Sequence, residues 1–93
     1  MIVLYAEVEC FMYDTHSLKD KRSVIKKLMA KIRRDFNVSI AEADFQDLWQ
    51  RTKFAIVTVA NEKKQAEKVM DQVLKVIDFE HELERTITKI DRL

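Results

Sequence analysis

A chain of 93 residues, 47% apolar and 35% charged with a formal net charge of +1, has the length of one small domain and the composition of neither a disordered segment nor a linker. Glycine and proline are both absent, which excludes a glycine-rich phosphate loop of Walker or Rossmann type and leaves every turn to Asn, Asp, Ser and Thr. A lone cysteine, Cys10, excludes an internal disulfide, and no apolar run approaches the roughly 18 residues that span a bilayer.

The N-terminus, MIVLYAEVEC, has neither the basic segment nor the cleavage site of a signal peptide, so a reducing cytoplasm is the expected compartment. Residues 2–13 alternate with the period of a strand. Ile2, Leu4, Ala6, Val8, Cys10 and Met12 form an apolar side that should face the core. Val3, Tyr5, Glu7, Glu9, Phe11 and Tyr13 form a mixed one. A turn at Asp14 to His16 leads to Ser17, and Asp20 three residues on approximates a capping box. The helix from Ser17 to Phe36 should bury Leu18, Ile25, Leu28, Met29, Ile32 and Phe36, with Val24 on its flank.

Asn37 ends that helix, and Val38, Ile40, Ala41 and Ala43 read as a second strand. Residues 44–51, DFQDLWQR, lead into a third, Thr52 to Ala60, apolar on both sides as expected of a central strand covered on each face. Asn61 can cap a second helix, Glu62 to about Ile77, with Ala66, Val69, Met70, Val73, Leu74 and Ile77 inward. A last strand, Leu83 to about Arg92, carries Leu83, Ile87 and Ile90 at a spacing that hints at a bulge. The order β-α-β-β-α-β with right-handed crossovers predicts one ferredoxin-like α+β domain over residues 1–93. Two helices cover one face of a four-stranded, mainly antiparallel sheet.

Three segments, HSLKDKRS (His16 to Ser23), FNVSIAE (Phe36 to Glu42) and QDLWQR (Gln46 to Arg51), resemble the YlxP-like family of small bacterial proteins of unknown function. The resemblance spans essentially the whole chain. It implies a ferredoxin-like fold and, for many relatives, a gene among those for translation initiation and ribosome maturation; it supplies no established active site. Relatives carry Gly, often with Pro, just before the His-Ser-Leu-Lys segment, where this chain has Asp14 and Thr15.

Between His16 and Arg34 stand eight bases, Lys19, Lys21, Arg22, Lys26, Lys27, Lys31, Arg33 and Arg34, against the one acid Asp20, a local charge of +7 that leaves −6 for the remainder. The near-neutral total conceals a polarised molecule. At about 100° per residue, Lys19, Arg22, Lys26 and Arg33 share a flank, with Lys27 and Arg34 further round. An ordinary solvated helix face is the competing interpretation. Lys19, Lys21 and Arg22 sit in the first turn, where the helix dipole disfavours cations by about 0.3–1 kcal/mol each and a bound anion would reverse the penalty. His16, Ser17 and the free amides of that turn complete the candidate phosphate or RNA-backbone site.

Trp49 and Arg51 are candidates for a stacking or partner contact, against a hairpin anchor for the tryptophan. Tyr5, Phe11 and Tyr13 suggest sheet-to-sheet dimerisation; base stacking by these aromatics lacks the RNP signature and faces repulsion from Glu7 and Glu9. Catalytic patterns are poor. Cys10 belongs to the core side, His16 and His81 have no metal-ligand spacing, and adjacent His16 and Ser17 do not make a triad. Acyl-phosphate hydrolases share this fold with an anion loop after strand one, but the glycine-rich cradle is missing. The expectation is a non-enzymatic factor, without cofactor or metal, that binds RNA or a ribosomal particle through the first helix and forms a homodimer. The alternative is a homodimer with a purely structural or protein-binding role.

Overall fold

The alternation at the N-terminus becomes β1, Ile2–Met12, buried at every even position and half-buried at every odd one between its two neighbours. A computed structural model describes residues 1–93. Beyond β1 come α1, Leu18–Asp35; β2, Val38–Asp44; β3, Arg51–Ala60; α2, Lys63–Phe79; and β4, Leu83–Arg92. The sheet runs β2-β3-β1-β4, every neighbouring pair antiparallel, so β3 and β1 are central and β2 and β4 are edges.

One cluster of 18 buried side chains forms the core, from the even side of β1, from Phe54 and Ile56 of β3, and from the inner stripes of both helices. Helix α1 lies on β2, and α2 on β1, β3 and β4. The spacing Ile25, Leu28, Ile32 on α1 and Ala66, Met70, Val73, Leu74, Ile77 on α2 explains why each helix presents one stripe to the sheet.

Without glycine, the ends are made by other means. Helix α1 stops at Phe36, whose backbone is extended and whose N–H donates to the Ile32 carbonyl at 3.0 Å. Asn37 then donates its side-chain amide to the Val59 carbonyl at 3.2 Å, and the Thr58 hydroxyl donates to the Asn37 carbonyl at 2.8 Å. These two bonds stitch the α1–β2 connection onto β3.

The structure corrects several local expectations. Glu62, not Asn61, is the N-cap of α2, with extended backbone and no side-chain cap bond. The β4 irregularity is present as a register shift opposite Glu9 and Cys10. It turns Ile87 out beside Glu9 on the helix-free side, and Ile90, opposite Ala6, remains substantially exposed at the sheet edge. A second shift, in β2 at Glu42 to Asp44, had no sequence signal. Within the single chain both helices cover the same side of β3, so its other face is open.

Candidate functional site

The buried stripe of α1 consists of Lys21, Ile25, Leu28 and Ile32. Turning from that stripe at 100° per residue, Arg22, Arg33, Lys26 and Lys19 fall together on one side. The Arg33 guanidinium donates to the Ile40 carbonyl of edge strand β2 at 2.7 Å, which fixes this side as the one above the free edge of the sheet. All four bases are exposed. Lys27 and Lys31 turn toward the other side, and Arg34 pairs in sequence with Asp35 at 3.0 Å, holding that carboxyl below its usual range and the guanidinium above its own.

The first turn of α1 carries the Ser17 cap expected from the sequence. The Ser17 hydroxyl oxygen accepts from the Asp20 N–H at 3.1 Å, and the Asp20 carboxylate accepts from the His16 N–H at 3.4 Å, so the cap takes two of the N–H groups offered to an anion. The groove beside this turn, about 300 Å3, is lined by Asp14, Asp20, Glu80 and Glu82 against the single base Lys27. Four carboxylates there repel phosphate. His16 is exposed on the preceding loop.

Lys21 is the main correction. Its side chain is 1% exposed, with Nζ 2.9 Å from a Glu42 carboxylate oxygen and donating to the Phe45 carbonyl. Glu42 also accepts from the Thr52 hydroxyl at 2.7 Å. A lysine so placed attracts no external anion, because its charge is already neutralised inside the molecule. No buried side-chain nitrogen or oxygen is left without a partner.

Phe45 beside it has φ of 62°, the one positive value in the chain. The left-handed region disfavours a bulky side chain. The Arg51 guanidinium stacks over the Phe45 ring at 4.0 Å and pairs with Glu9 at 2.9 Å. The Thr15 hydroxyl donates to the Trp49 carbonyl at 2.6 Å, and the Met12 N–H to the Gln50 carbonyl at 2.8 Å. Thus the Trp49 backbone is anchored while its side chain stays 45% exposed, next to exposed Leu48. The three segments singled out in the sequence meet here, at one end of the sheet.

The open face carries Val3, Tyr5, Glu7, Glu9 and Phe11 from β1 beside Arg51, Lys53, Ala55, Val57 and Val59 from β3. Lys53 pairs with Glu7 at 2.9 Å, lowering the acid and raising the amine through their hydrogen bond. Phe11 and Tyr13 stack edge to face at 5.1 Å, and the Tyr13 hydroxyl donates to Glu84, which raises the phenol. Cys10 is buried and its thiol is pushed up to about 12, chiefly by desolvation. Glu80, His81 and Glu82 bring ligand-type atoms within 4.8 Å of one another on the turn after α2, a proximity that consecutive residues hide from spacing rules.

Six elements in this order, with both helices on one side of an antiparallel sheet, define a ferredoxin-like sandwich. A de novo designed protein with a ferredoxin fold, LFR1 1, solved in solution by NMR, matches 100% of this chain and 84% of its own with a TM-score of 0.58, at 13% identity. That likeness concerns the fold alone. Residues 3–90 match the family described as protein of unknown function (DUF503), and the chain belongs to it. It is 47% identical over 87 residues, 94% of its length and 95% of the relative's, to the uncharacterized protein YlxP of Bacillus subtilis (strain 168). The resemblance drawn from the three segments is borne out.

Proposed function

We propose that this protein acts without catalysis as an RNA-binding factor of ribosomal particles, engaging phosphates along the outer flank of α1. The observation that carries this reading is the alignment of exposed Lys19, Arg22, Lys26 and Arg33 above the β2 edge, in a molecule whose other residues are net acidic. Phosphate contacts supply affinity without demanding a pocket. The gene context implied by the family resemblance favours ribosomal RNA as the polyanion.

Four phosphate contacts would give a log–log salt slope of roughly −3, so affinity should drop on the order of 100-fold between 50 and 200 mM salt. The test is co-sedimentation with ribosomal particles across that range, comparing wild type with Lys19→Glu, Arg22→Glu and Lys26→Glu combined. The wild type is expected in the pellet at low salt and in the supernatant at high salt, and the triple variant in the supernatant throughout. Binding that ignores both salt and charge reversal refutes the reading.

A further inference from the structure

We infer that the open face of the sheet is the interface with a second copy of this chain, related by a two-fold axis running along the strands between β1 and β3. The acids at the centre of this face, Glu7 and Glu9, stand on β1, and the bases, Arg51 and Lys53, stand on the adjacent β3. A two-fold axis between these strands sets β1 of each copy over β3 of the other. By the register, Glu9 then lies over the partner's Lys53, Phe11 over the partner's Arg51, and Tyr5 over the partner's Val57. Glu9 thus meets the partner's Lys53 as well as its own Arg51, whereas Glu7 lies over the partner's Ala55 and keeps its own Lys53.

The rest of the face fits the same occupant. Toward the other end of the strands it is apolar, with Val3, Tyr5, Val57 and Val59, the last 39% exposed, and the axis lays that end on itself. Ser39 and Ala41 on β2 and Ala55 on β3 are small, which suits the ~10 Å approach of stacked sheets. Glu7, Glu9, Asp44, Glu84 and Asp91 outnumber Arg51, Lys53 and Lys89 on this face, a small acidic excess that repels RNA and a strongly acidic peptide alike. Eleven residues of β1 at ~3.3 Å each, across four strands at ~4.8 Å, give a plan of roughly 700 Å2, comparable with the ~800 Å2 per partner of standard interfaces. This interface uses none of the α1 bases and stands whether or not they bind RNA.

Sedimentation equilibrium at 1–100 µM tests it. Wild type is expected at twice the 11.1 kDa of one chain. Val57→Asp and, at the more exposed position, Val59→Glu are expected near single-chain mass with unchanged far-UV circular dichroism, the dissociation constant rising at least ~100-fold as an unpaired carboxylate is buried. Glu7→Lys/Glu9→Lys and Arg51→Glu/Lys53→Glu should each be monomeric alone and form a heterodimer when mixed. The triple α1 reversal should remain dimeric. A wild type that stays at 11.1 kDa at 100 µM, dimers that survive both valine substitutions, or complementary variants that do not pair overturn the interface.

Discussion

Replacing Lys21 by methionine keeps the length and apolar stem of the side chain and removes its charge. Glu42, 17% exposed, then retains the Thr52 hydroxyl as donor but loses its cationic partner, while the Phe45 carbonyl keeps the Leu48 N–H at 3.0 Å. Breaking a buried pair by removing one partner costs about 3–5 kcal/mol. The remaining donor and the access of water to Glu42 bring the expected loss down to about 2–3 kcal/mol. In a domain of this size that lowers the thermal midpoint by roughly 10–20 °C. Adding Glu42→Gln removes the orphaned charge and still offers Thr52 an acceptor, so the double variant should recover to within about 1 kcal/mol of wild type. Urea titrations at one fixed protein concentration read both quantities. A single variant that loses less than ~0.5 kcal/mol, or a double variant as damaged as the single one, refutes the role assigned to the pair.

Three further outcomes follow from burial. The Cys10 thiol, held up at about 12 in the fold, should ignore thiol reagents at pH 8 until the protein is denatured. Its folded value lies above the unfolded one near ~8.5, so its contribution is intact below that pH and is lost as pH rises toward 12; Cys10→Ala should flatten the alkaline fall of the urea midpoint. Trp49 should emit at long wavelength and be quenched readily by iodide, and a blue, protected emission would contradict its exposure. Phe54→Ala, at a fully buried position in the middle of the core, should cost about 3–5 kcal/mol in the same titration.

The fold was legible because it rests on two periods. Every even residue of β1 read as inward is buried, and the inner stripe of α2 is buried as read apart from Val69, which is partly covered. Lys21 shows where such reading stops. It stands four, seven and eleven residues before Ile25, Leu28 and Ile32, squarely on the apolar stripe, and the period therefore marked it as inward. Its charge argued for the surface, and the deciding partner, Glu42, lies across the fold on β2. Similarly, Ser17 and Asp20 were legible as a cap, but the acids Glu80 and Glu82 that join them come from the other end of the chain. The flank bases of α1 needed no distant partner to be exposed, and they stand where the helical angle put them.

Phe45 bears on how the chain reaches its fold. Locally, two bonds favour its geometry, the Asp44 carboxylate accepting the Phe45 N–H at 2.7 Å and the Phe45 carbonyl accepting the Leu48 N–H at 3.0 Å. The other restraints arrive from Lys21, 24 residues back, and from Arg51 on the next strand. A glycine would take the left-handed conformation unaided; here its restraints are complete only once α1 lies on β2. The β2–β3 connection is therefore expected among the last events of folding, and kinetic φ-values should be near zero at Phe45 and Thr15 and larger along β1 and β3. Its reopening in the native state is correspondingly tied to the release of Lys21, so the Leu48 amide should exchange with solvent in step with the first turns of α1.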